Sequence, residues 1–66
     1  MQIILNGEAT AVAEGISVND LIAGLQLTGR RVAVEINGDL VPRSRWPEVR
    51  IKDGDRAEVV HAIGGG

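Results

Sequence analysis

Cysteine, phenylalanine and tyrosine are absent from this 66-residue chain, and proline occurs only at Pro42 and Pro47. Without cysteine no disulfide, thiolate metal site or thiol nucleophile can form, a composition compatible with a reducing compartment. One histidine, His61, and scattered carboxylates make a poor ligand set, so no structural metal is expected. A chain this short must then be stabilised by apolar packing alone, or partly by a partner. Trp46 is the single aromatic residue, which leaves a core of Val, Ile, Leu and Ala. A hydrophobic content of 44% favours a folded chain over a disordered one. Seven basic against nine acidic residues give a formal charge of −2. This balance argues weakly against nucleic-acid binding, which usually needs a basic face and often stacking aromatics. The opening residues MQIILNGE show no basic segment followed by a long apolar run. The expectation is a cytoplasmic protein with neither a signal peptide nor a membrane span.

What is present reads as short alternating elements. Gln2 to Leu5 forms a strand, Asn6-Gly7 supplies a hairpin turn, and Glu8 to Ala13 returns. In Ile16-Ser17-Val18-Asn19-Asp20-Leu21, Ser17 can cap the amide of Asp20 while Asp20 reaches back to that of Ser17. Val18, Leu21, Ile22 and Leu25 then share one helical face. Gly24 weakens the middle of this helix and Gln26-Leu27-Thr28-Gly29 ends it. Val32 to Ile36 alternates as a third strand, Asn37-Gly38 turns, and Asp39 to Val41 returns until Pro42 stops it. Arg43 to Val49 reads as a loop with one helical turn, and Lys52-Asp53-Gly54-Asp55 as a polar turn. Arg56 to Ile63 is the last strand, with Ala57 and Val59 on one face and Val60 and Ala62 on the other. The pattern predicts an α+β chain with a small mixed sheet, one face covered by a helix of about ten residues, as in a β-grasp domain. Residues 1–63 form that domain and 64–66 a flexible glycine tail.

Few residues offer chemistry in place. His61 is the only histidine, Ser17 is accounted for by capping, and Ser44 sits between two arginines with no base nearby in sequence. Intrinsic catalysis is not expected from so small a core. Gly64-Gly65-Gly66 is no phosphate loop, since no helix follows to supply amides and a dipole. Two readings of this run stand. It is a frayed end or an expression scar, or it is a substrate. Glycine has no Cβ, so di- or triglycine can thread a narrow tunnel and lie flat on a partner's backbone. An α-carboxylate on such a tail is reachable from both sides.

Several stretches together carry a resemblance: MQI-x-x-NG, the SVNDLI helix start, RRVAVEINGDLVPRSRW, DGDRAEVVHAI and the final glycine pair. In combination, and over essentially the whole chain, they resemble the sulfur carrier family of thiamine biosynthesis, ThiS, which is ubiquitin-like in fold. A related branch serves molybdopterin synthesis. The resemblance implies that Gly65 and Gly66 are the functional diglycine, with Gly64 adding freedom to the tail. It further implies that a ThiF/MoeB-like enzyme uses ATP and magnesium to adenylate the Gly66 carboxylate. Sulfur from a cysteine desulfurase or related donor then leaves a thiocarboxylate, which thiazole synthase consumes. The carrier itself would bind no cofactor and would be a co-substrate, not an enzyme.

Rivals within the same chemistry are a molybdopterin-synthase small subunit and a ubiquitin-like carrier that supplies another acceptor or modifies lysines. A β-grasp interaction domain with an inert tail is the rival of a different class. Docking is expected on the sheet face near the tail. Ile4 and Val60 alternate out of phase with Ile3, Leu5 and Val59, and Ala62 and Ile63 lead into the glycines. Arg43, Arg45 and Arg50 cluster beside Trp46 and could meet an acidic groove, while Trp46 itself is expected to close the core. Glu14, Glu35 and Glu58 could pair with partner arginines or simply solvate a surface.

Overall fold

The computed structural model describes residues 1–61. Strands β1 (Gln2–Leu5) and β2 (Glu8–Ala11) precede the helix α1 (Val18–Gly24). Then follow β3 (Val32–Ile36), β4 (Asp39–Leu40), a 3₁₀ turn at Arg43–Arg45, and β5 (Arg56–His61). The five strands lie in the order β2-β1-β5-β3-β4. β1 and β5 run parallel, and the other neighbours are antiparallel. This mixed sheet with one helix is the α+β, β-grasp arrangement expected from the element order.

Alternation decides the core. Ile3 of β1, Val34 of β3 and Ala57 of β5 are fully shielded, and they cluster with Val18, Leu21 and Ile22 of α1. Trp46 and Ile51, from the segment after the 3₁₀ turn, complete the apolar layer. Burying these side chains, each worth roughly 1.5–3 kcal/mol, is what holds a chain without cross-links together.

The start of α1 accounts for its unpaired amides. Ser17 Oγ accepts from the Asp20 amide at 3.0 Å. The Val18 amide donates to the Val49 carbonyl at 3.0 Å and the Asn19 amide to the Trp46 carbonyl at 3.1 Å. Only half of the expected reciprocal capping pair forms, because the Asp20 carboxylate makes no bond to the Ser17 amide. Instead Ser17 forms a bridge with Arg50, with Ile51 donating to the Ile16 carbonyl at 2.9 Å. The long-range segment thus meets the chain on both sides of Ser17, through Ile16 and Val18.

The helix is shorter than expected, at seven residues. Gln26 adopts φ +61° and turns the chain out of the helix. Its amide bonds the Ala23 carbonyl at 2.9 Å, and that of Leu27 bonds Ile22 at 3.0 Å, which is the Schellman pattern of helix endings. Leu25 becomes the cap residue and is 38% exposed, so only Val18, Leu21 and Ile22 of its predicted face are buried. Glutamine in the left-handed region is strained where glycine is not. Gln26→Gly is therefore expected to stabilise the fold by about 0.5–1 kcal/mol, after allowing for the greater freedom of glycine in the unfolded chain. Urea denaturation checks this, and a loss of stability would show that the glutamine is favoured there.

Two return strands also end early. β2 stops at Ala11, not Ala13, although Val12 still donates to the Met1 carbonyl at 2.9 Å. β4 stops at Leu40, although the Val41 amide still donates to the Val34 carbonyl at 2.8 Å; Pro42 has no amide hydrogen to carry the ladder further. Ala62 and Ile63, expected as the end of β5, lie outside the described residues, as do the tail 64–66 and its expected disorder.

Candidate functional site

The strand that leads to the glycine tail is the middle strand of the sheet, with β1 on one side and β3 on the other. Both flanking hairpins turn through Asn-Gly. Asn6 and Gly7 have φ of +50° and +84°, and Asn37 and Gly38 of +53° and +86°. Two successive residues at positive φ make the tight turn whose twist suits a two-residue hairpin, and Asn and Gly tolerate it best. Each asparagine then uses its side chain on β5. The Asn37 carboxamide oxygen accepts from the Arg56 amide at 3.0 Å, while its nitrogen donates to an Asp55 carboxylate oxygen at 3.0 Å. Asn6 accepts from the Val59 amide at 2.9 Å and donates to the Val59 carbonyl at 3.2 Å.

The polar turn before β5 is also tied down. Asp55 accepts from the Lys52 amide at 2.8 Å, and Asp53 accepts from the Gln2 amide at 2.8 Å. Gly54, at φ +83°, donates its amide to the Gln2 carbonyl at 2.7 Å. The Asp-Gly-Asp stretch thus sets β5 alongside β1 from its first residue.

Away from the helix, the outer face of the sheet carries several sequence-predicted residues. Ile4 is 37% and Val60 56% exposed, both pointing outward as alternation requires. They do not form a pair. Ile4 lies opposite Arg56, whereas Val60 lies opposite Ala33, about 13 Å further along the strand. Between them Glu58 lies directly opposite Glu35. Both glutamates are exposed, and neither joins a salt bridge among the described residues. A shallow depression of about 470 Å³, lined by Ile4, Gly7, Arg56, Ala57 and Glu58, opens between β1 and β5.

The arginines of the expected cluster each have their own partner. Arg43 stacks over the Trp46 ring at 4.6 Å and donates to the Arg30 carbonyl at 2.7 Å. Arg45 lies 3.7 Å from Glu48, with both side chains exposed. Arg50 donates to the Gly15 carbonyl at 3.0 Å. Trp46 is buried and its indole nitrogen donates to the Val41 carbonyl at 2.9 Å, which is the core-closing role expected of it. Ala62, Ile63, Gly64, Gly65 and Gly66 lie outside the described residues.

Sequence reasoning missed Leu40, which at 64% exposure is the most open large apolar side chain among the described residues. The signal was there: a two-residue turn at Asn37-Gly38 pairs Glu35 with Leu40 and so puts both on the outer face. It also missed the Asn6 and Asn37 bonds to β5. Nothing local marks them, because their partners belong to a strand placed by the whole fold.

Strand order, the parallel β1–β5 pair and the covering helix define a ubiquitin-like β-grasp domain with its last strand at the centre of the sheet. A family model, that of the ThiS family, matches residues 3–66, and the chain belongs to this family. It is 35% identical to sulfur carrier protein ThiS of Escherichia coli, over the full length of both chains. It is also 39% identical over all its residues to a thiazole synthase of Paramagnetospirillum magneticum, of whose length it spans 20%. The crystal structure of the thiamine biosynthesis protein ThiS from Geobacter metallireducens superposes with a TM-score of 0.88 at 33% identity, covering 100% of both chains. No helix among the described residues is long and apolar enough to cross a membrane.

Proposed function

We propose that this chain carries sulfur for the thiazole ring of thiamine on the carboxylate of Gly66. A carboxylate is a poor electrophile and must first gain a leaving group. In the proposed cycle a ThiF-like enzyme binds the tail, and a Gly66 carboxylate oxygen attacks the α-phosphate of ATP. Pyrophosphate departs, and magnesium and cationic groups of that enzyme stabilise the phosphate charge. A persulfide sulfur, supplied through a cysteine desulfurase, displaces AMP. A thiol then cleaves the resulting acyl disulfide, leaving a thiocarboxylate from which thiazole synthase takes the sulfur.

The observation that carries this reading is the match to the ThiS family, which runs through the terminal glycines to residue 66. The thiazole synthase of P. magneticum contains a stretch similar to the whole of this chain, which supports thiazole synthase as the acceptor enzyme. The domain itself supplies an address and a handle. β5 is held by β3 as far as His61 and on its other edge by β1 and Asn6 as far as Val59, so a partner that recognises the sheet meets this strand in one fixed place.

Intact mass of the protein from its native cells tests the proposal. Replacing one carboxylate oxygen by sulfur adds roughly 16 Da, which must map to the peptide ending in Gly66 because Met1 oxidation gives the same nominal shift. A shifted C-terminal peptide, abolished by deletion of Gly66, is expected. An unmodified terminus that also forms no adenylate with ATP, magnesium and a ThiF-like enzyme would return the chain to an inert scaffold.

A further inference from the structure

β1 ends at Leu5, yet the ladder on that side of β5 runs one step further. The Asn6 amide donates to the Ala57 carbonyl at 2.9 Å. At φ +50° its backbone then turns away into the hairpin, and its carboxamide takes the place of the next peptide. It meets both the amide and the carbonyl of Val59, as a neighbouring strand would. Beyond Val59 no described residue pairs β5 on this edge. The remaining support comes from β3, through Ala33 opposite Val60 and Val32 opposite His61. Asn6 is therefore the last hold on the β1 edge before the chain leaves the described domain.

We propose that Asn6 is a positioning residue for the carrier: its carboxamide fixes β5 at Val59, the strand that a partner must engage to reach Gly66. The inference rests on the reading of Gly66 as the reacting terminus. A strand held in place has less freedom to lose when a partner engages it, and such preorganisation lowers the cost of binding. The chemistry at the carboxylate is untouched, so the effect falls on KM and leaves kcat alone.

Asn37 provides the control. It occupies the same turn position in the other hairpin and also bonds the β5 backbone, but at Arg56, the opposite end of the strand. Asn6→Gly and Asn37→Gly both keep a residue suited to positive φ and both remove side-chain bonds to β5. Each is expected to lower stability, so both are assayed where the variants are fully folded by circular dichroism. In ATP–pyrophosphate exchange with a ThiF-like adenylating enzyme, Asn6→Gly is expected to raise the KM for the carrier roughly 5–10-fold at unchanged kcat. Asn37→Gly should leave KM at the wild-type value. In amide hydrogen exchange on the free proteins, Asn6→Gly should deprotect the Val59 amide while Asn37→Gly does not.

Equal KM values for both variants would overturn the positioning role, as would unchanged protection of the Val59 amide in Asn6→Gly. The second readout needs no partner and therefore fails separately from the functional reading. Absence of exchange activity with the wild-type carrier would instead bring down that reading, and this inference with it.

Discussion

Trp46→Ala should lower the stability of the fold by about 3–5 kcal/mol, the usual cost of truncating a buried tryptophan. A chain of this size has only about 3–10 kcal/mol in total, so the variant is expected to melt some 15–30 °C lower or to be largely unfolded. The effect is large because one side chain joins several segments. The ring is 4% exposed in the core, its nitrogen satisfies the Val41 carbonyl, and Arg43 covers its face. Its own carbonyl accepts from Asn19 at the start of α1, so displacement of the loop also releases a helix amide. Trp46→Phe separates these contributions. It retains most of the apolar contact and leaves the Val41 carbonyl without its donor, which should cost about 1–3 kcal/mol. Far-UV circular dichroism is the readout, since the Ala variant has no aromatic residue left. A loss under about 1 kcal/mol for Trp46→Ala would mean that the 42–49 segment holds its place without the indole.

The second large effect is expected at Gly65, with no change in stability. Under the proposed function the tail enters a channel that brings the Gly66 carboxylate to the α-phosphate of ATP. A branched Cβ at residue 65 would widen the chain one residue before the reacting atom. Displacement there by as little as an ångström costs on the order of 100-fold in rate. Gly65→Val should thus reduce kcat/KM for adenylate formation at least about 100-fold while the melting temperature stays at the wild-type value. Normal turnover with Gly65→Val would show that the partner does not enclose the tail. Trp46 belongs to the core of the described residues and Gly65 to the glycine run at 64–66, so the thermal measurement and the kinetic one report on different parts of the chain.

These two residues show the division of labour in the chain. Trp46 acts through burial and one indole hydrogen bond, and both could be expected from a lone tryptophan following a proline-stopped strand. The glycines are assigned from their chemistry and their place in a family pattern, not from packing. The outer sheet face lies between these extremes. That Ile4 and Val60 point outward followed from alternation, but their separation along β5 did not. The apolar pair suggested by the sequence is, in the folded sheet, two sites with Glu58 and Glu35 between them. A partner docking across that face would meet acid at its centre and Ile4, Val60 and Leu40 around it.

The sequence by itself determined the local geometry. Asn6-Gly7 and Asn37-Gly38 set two tight turns because few other residue pairs accept successive positive φ. Ser17 set the start of α1, and the alternation of Val32 to Ile36 and Arg56 to His61 divided inside from outside. Each of these depends on neighbours only a few residues away. Only the tertiary structure decided which strands adjoin β5 and in what register, since no turn joins β5 directly to β1 or β3. That choice brought Asn6 to Val59 across 53 positions, set Arg50 beside Ser17 and the Val49 carbonyl on the Val18 amide at the head of the helix, and gave the arginines separate contacts. Pairing between distant segments is set by the burial of the whole apolar face, a condition that no short stretch of sequence contains.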